Sequence, residues 1–147
     1  MRRAVLKGFA ASLIAGCAGS AAAADKVTPA AECRGKTTPE INDCLMQQQE
    51  RAQANLDKYV GAAIQRYAND QPAVRSGIRA SEKAFEAYRD GECLTMYEAW
   101  KDGTIRVAMQ VGCLIELTDQ RTHTVWTNWL RYADSTPPIL PEPEPTN

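Results

Sequence analysis

The chain has 147 residues, 44% of them hydrophobic, and a formal net charge of −1 from 17 Lys and Arg against 18 Asp and Glu. That length gives room for one domain. The balance of charge argues against nucleic acid as a partner, which would call for a basic face.

The N-terminus reads as an export signal. Arg2, Arg3 and Lys7 precede a small, apolar stretch over residues 8–18, and Ala22-Ala23-Ala24 forms an A-x-A cleavage site ahead of Asp25. On this reading residues 1–24 are a signal peptide. A second reading stands beside it. Leu13-Ile14-Ala15-Gly16-Cys17 fits a bacterial lipobox, in which Cys17 is lipidated and residues 18–32 form a tether. Both place the protein in the periplasm or cell envelope, free or lipid-anchored. No other stretch is long and apolar enough to span a bilayer. Cleavage after Ala24 removes three bases and no acid, leaving 17 − 3 = 14 basic against 18 acidic side chains, a net charge of −4. An acidic exported chain favours a basic partner.

Residues 25–36 form a lead-in segment pinned by Cys33, and a helical domain over 37–134 follows. Thr37-Thr38-Pro39-Glu40 starts a helix in either of two ways. Thr37 and Glu40 fit a capping box, and Thr38 with Pro39 fits an N-cap followed by proline. The first helix is predicted from Pro39 to Ala68, with Ile41, Leu45, Gln48, Ala52, Leu56, Tyr59, Ala63 and Tyr67 on one face. Asn69-Asp70-Gln71-Pro72 stops it. The second helix is predicted from Ala73 to Trp100, with Val74, Ile78, Phe85, Tyr88, Met96 and Trp100 as apolar contacts and a kink or break at Gly91. A polar turn, Lys101 to Thr104, leads to a third helix from Ile105 to Tyr132. Its buried side is Val107, Val111, Leu114, Leu117 and Val125, and Gly112 is expected to permit close helix approach. Residues 135–147 are too proline-rich for helix or central strand and are expected to be an extended, disordered tail. The fold class is all-α, a small antiparallel three-helix bundle.

Four cysteines remain after the signal: Cys33, Cys44, Cys93 and Cys113. Cys93 and Cys113 each lie ten residues from Gly103. If Gly103 turns one helix back on the next, the two stand at the same height on facing helices and a bridge is easy. Exclusion then pairs Cys33 with Cys44. Two bridges imply an oxidising compartment, and closing the longer loop contributes roughly 3 kcal/mol in the chain-entropy model.

No catalytic residue, metal site or cofactor motif emerges. His123, the single histidine, has no ligand-type neighbour at metal spacing. The cysteine separations are wider than a zinc motif allows, and no phosphate loop or nucleophile elbow is present. Glu82, Glu86 and Asp90 form an acidic stripe beside a basic stripe of Arg75, Arg79 and Lys83. Carboxylates on one helix cannot face each other across a sugar cleft, so the stripes read as a solvated face braced by Arg79–Glu82 and Lys83–Glu86 pairs. A docking surface for a basic protein is the functional alternative. Trp100, Trp126 and Trp129 are aromatic anchors, and one left exposed would mark a binding patch.

Cys33, Thr38, Glu40 and Cys44 resemble the opening of the lysozyme-inhibitor LprI-like family. Ala84-Phe85-Glu86-Ala87-Tyr88-Arg89-Asp90-Gly91-Glu92-Cys93 matches its aromatic, Tyr-Arg-Asp, Cys signature. Cys113-Leu114, Thr118 and Arg121 match its last part, so the resemblance spans about residues 33–125. Phe85 stands where the family often has Trp, and Asp102-Gly103-Thr104 where it often has a Gly-Gly-Ser-like turn. The resemblance implies a small exported helical protein whose partner is a lysozyme-type muramidase. The matching residues read as structural, so no inhibitory residue is carried over.

The leading expectation is therefore a binding protein of the bacterial envelope that occludes a muramidase. The turn Trp100, Lys101, Asp102 and Thr104 is its candidate partner-binding segment. The alternatives are an envelope interaction module without lysozyme activity and, least favoured, a small hydrolase with facing carboxylates.

Overall fold

The computed structural model describes residues 33–35, 37–69 and 71–146. The signal segment, Cys17 and the lead-in up to residue 32 lie outside the described residues. Three helices make up the bundle: α1, Thr38–Arg66; α2, Pro72–Ala99; and α3, Arg106–Val125, which continues into a π-helical turn over Trp126–Leu130.

Of the two starts open to α1, the capping box is the one formed. Thr37 is the N-cap, and its backbone N–H and hydroxyl both donate to Glu40 Oε2, at 2.8 and 2.7 Å. Pro72 opens α2 at the position where a missing N–H is no loss. The link between α1 and α2 is closed by Arg75, whose Nη1 donates to the Ala68 carbonyl at 3.0 Å. Gly91 does not interrupt α2, which runs unbroken to Ala99. Gly112 is not a close-approach site either, because a Cβ there would meet nothing within 4 Å. Gly35, at φ 77°, takes the left-handed conformation that favours glycine, and Gly103 is tightly placed in the turn. A Cβ at that position would press on the Trp100 carbonyl at 3.3 Å.

Consecutive helices run antiparallel, so α1 and α3 point the same way. The core falls into two clusters. At the turn end Cys33, Leu45 and Ala52 meet Val111 and Ile115. At the other end Leu56, Tyr59, Ala63 and Ile78 meet Val125, Trp126 and Leu130. The face read from helical spacing on α1 is the buried one: Leu45, Gln48, Ala52, Leu56, Tyr59 and Ala63 are all inside. On α2 the reading needs partial correction. Ile78 is buried and Val74 and Phe85 pack against the core as expected, but Tyr88 and Trp100 are exposed, and Arg89 and Cys93 are the other buried residues of α2.

Both disulfides are formed as expected. Cys33–Cys44 has its Cα atoms 5.9 Å apart and Cys93–Cys113 5.5 Å apart.

The C-terminal segment is neither helix nor strand, as its prolines dictate, but the expected disorder is corrected. It lies as a strap along α1 and α3. Ile139 N–H donates to the Leu130 carbonyl at 2.9 Å. The Tyr59 hydroxyl donates to the Pro141 carbonyl at 2.8 Å, and Trp126 Nε1 to the Leu140 carbonyl at 2.9 Å. Thr146 ends the strap by donating its N–H and hydroxyl to Asp119, at 2.7 and 2.9 Å. Proline removes donors but leaves carbonyls free to accept, and its fixed φ lowers the entropy lost on ordering. Arg66 closes the π-helical end, with Nη1 donating to the Trp129 and Arg131 carbonyls at 2.6 and 3.0 Å.

Candidate functional site

Between the two core clusters lies a polar layer built on Arg89. Its guanidinium donates to Gln53 Oε1 on α1 at 2.7 Å, to Thr118 Oγ1 on α3 at 3.3 Å and to Asp90 Oδ1 at 3.0 Å. Arg121 pairs with Glu82 at 3.1 Å, and both side chains are largely buried. Phe85 lies between the two cations, with the Arg89 and Arg121 guanidiniums 5.6 and 5.5 Å from its ring centre. The solvated-face reading holds for Glu86 and Asp90, which are exposed, and is corrected for Glu82. Glu82 turns into the bundle because its cation is Arg121 on α3, not Arg79, and Asp90 pairs with Arg89. Glu86, Arg79 and Lys83 stay exposed. These polar groups lock the helices together.

His123 is also accounted for by packing. Nε2 lies 3.0 Å from Glu142 Oε1 on the strap, and the ring sits 5.5 Å from that of Trp126. Among the described residues no group of three His, Cys, Asp or Glu is placed to hold a metal. No described helix is long and apolar enough to cross a membrane.

The turn between α2 and α3 has a different character. Trp100 and Ile105 bracket it, each 42% exposed, with Lys101, Asp102 and Thr104 exposed between them. Its backbone is held from inside. Gly103 N–H donates to the Trp100 carbonyl at 2.8 Å, and Arg106 Nη1 to the Lys101 carbonyl at 2.9 Å, while the Arg106 guanidinium covers the Tyr97 ring at 5.6 Å. The Cys93–Cys113 bridge ties the two helices behind it. The result is an apolar anchor with a polar rim on a braced loop, the arrangement that concentrates binding energy at an interface. Trp126 is buried and Trp129 half-buried, so Trp100 is the exposed member of the three. Ile105, which the sequence marks only as the start of the third helix, adds a second exposed apolar side chain to the turn. The same end of the bundle carries a shallow depression lined by Glu40, Asp43, Cys44 and Gln47.

Three helices, two bridges and a braced aromatic turn define a small disulfide-stapled helical protein. A family model, the lysozyme inhibitor LprI, matches residues 30–124, and the chain belongs to that family. An uncharacterized protein of Rhizobium meliloti (strain 1021) is 33% identical over 113 residues, which is 69% of this chain and 81% of that protein. No solved structure matches. The signature residues Phe85, Arg89, Thr118 and Arg121 converge on the polar layer, which accounts for their pattern by the fold.

Proposed function

We propose that the protein is an exported envelope protein that binds a lysozyme-type muramidase and occludes its cleft. Membership of the lysozyme inhibitor LprI family carries the reading. The turn supports it physically: Trp100 and Ile105 supply exposed apolar area, and the helix-to-helix bridge keeps the loop from losing entropy on binding. Glu40 and Asp43 at the same end suit a basic enzyme, whose encounter is faster at low salt.

The test is a cell-wall lysis assay with the disulfide-bonded protein. Inhibition that rises with protein and falls with added salt is expected, and Trp100→Ala weakens it. Absence of inhibition at micromolar protein ends the proposal. Affinity capture from envelope extract, run with lysozyme as one bait, then separates a muramidase ligand from another envelope protein.

A further inference from the structure

We propose that the outward face of α2 is the interface of a symmetric, antiparallel homodimer. α2 is the least covered helix. Of its 28 residues Ile78, Arg89 and Cys93 are buried, against six in α1. The face turned away from the bundle carries Tyr88, 57% exposed, and Leu94, 52% exposed. Large apolar side chains gathered on one open helix face mark an interaction surface. Between and beside them run Ala73, Gly77, Ala80, Ala84, Ala87 and Gly91, all exposed. These repeat at the alternating three- and four-residue spacing by which one helix seats along another.

Charge selects the occupant. Along one edge of this face stand Arg79, Lys83, Glu86 and Asp90, all exposed, with the bases nearer the N-terminus and the acids nearer the C-terminus. A helix dipole favours the reverse order, and α2 has no acid in its first turn and no base in its last. The row is its own complement when reversed. In an antiparallel pair like edges face each other. With the midpoints of two α2 helices aligned, Lys83 of one copy stands opposite Glu86 and Asp90 of the other, and Arg79 opposite Asp90. Two-fold symmetry repeats each contact. A parallel pair brings unlike edges together, so the row would face the Ser81 and Tyr88 edge of the other copy and form none of these pairs. Asp90 bonds Arg89 within its own copy but remains 63% exposed, so it keeps a face for the second protomer. The antiparallel arrangement also cancels the two helix dipoles. It places the Trp100–Thr104 turns at opposite ends of the dimer, both open, and it does not depend on the proposed inhibitory function.

Sedimentation or light scattering of the disulfide-bonded protein tests this across the micromolar range. The expected result is a solution mass that rises from one chain to two with concentration. Lys83→Glu and Glu86→Lys each remove opposite charges and set like charges face to face, so each weakens self-association by about tenfold or more. An equimolar mixture of the two variants restores it, because each supplies the charges the other lacks. Circular dichroism confirms that both variants stay folded, as expected for exposed positions. A monomer at every concentration overturns the proposal. So does a wild-type dimer that Lys83→Glu leaves intact, or a mixture that fails to recover association.

Discussion

The Arg89 guanidinium donates to Gln53 Oε1 at 2.7 Å, a bond that crosses from α2 to α1. The same group reaches Thr118 on α3 at 3.3 Å, so one side chain joins all three helices. Arg89→Ala leaves these partners facing a void and is expected to cost about 2–3 kcal/mol, the scale of hydrogen bonds to a charged group. Arg89→Lys recovers little, since an ammonium lacks the planar fork that meets several acceptors at once. Urea unfolding midpoints measure both. A lysine variant as stable as the wild type would sink the idea of a three-way hub.

The two bridges differ in the loops they close, 20 residues for Cys93–Cys113 and 11 for Cys33–Cys44. Replacing both cysteines of the longer one by alanine is expected to cost about 3 kcal/mol, and the shorter somewhat less. Thermal melts of the two double variants give the order. The Cys93/Cys113 variant also loosens the turn and loses affinity for its partner beyond the loss in stability.

Much of this architecture was legible from residue spacing. Cys93 and Cys113, equidistant from Gly103, pointed to a bridged helical hairpin, and the periodic run from Leu45 to Ala63 on α1 is the buried face. What was not legible depends on partners distant in the chain. Glu82 looked like a surface acid because Arg79 lies three residues away, but its cation is Arg121, 39 residues on. The prolines excluded helix and strand but said nothing of docking, which rests on Tyr59 reaching Pro141 across 82 residues. The third helix was drawn to Tyr132, but the chain leaves helical geometry after Leu130, where Arg66 takes up the last carbonyls. The position of the turn between α2 and α3 was readable from sequence. That Trp100 rather than Trp126 stays exposed was not, because both fit a helical apolar spacing.

The tryptophans offer a clean contrast. Trp100→Ala removes a half-exposed ring and leaves the melting temperature nearly unchanged, while weakening inhibition of a muramidase by about thirtyfold, the scale of an interface hot spot. Trp126→Ala removes a ring that is 7% exposed and is expected to cost about 3–5 kcal/mol through the cavity it leaves. Unfolding curves and lysis assays on both variants separate the two roles. Equal losses of inhibition at matched folded fraction would deny Trp100 a special place.

The strap gives a prediction in pH. Burial pushes the Asp119 carboxyl above its ordinary value of 3.8, against the two bonds from Thr146 that pull it down. The folded chain therefore binds this proton more tightly than the unfolded one. The resulting stability is fully present below pH 3.8 and is lost as pH rises through the raised folded value. Asp119→Asn abolishes that loss, so the variant gains on the wild type as pH climbs through the window. Removing residues 137–146 uncovers Asp119 and flattens the dependence in the same way. It also strips Trp126 and Tyr59 of their acceptors, for about 0.5–1.5 kcal/mol per hydrogen bond exchanged for water. Urea midpoints taken across the acid range read both effects. A wild type that gains stability on Asp119→Asn through this window would show that the Thr146 bonds outweigh burial and would reverse the sign argued here.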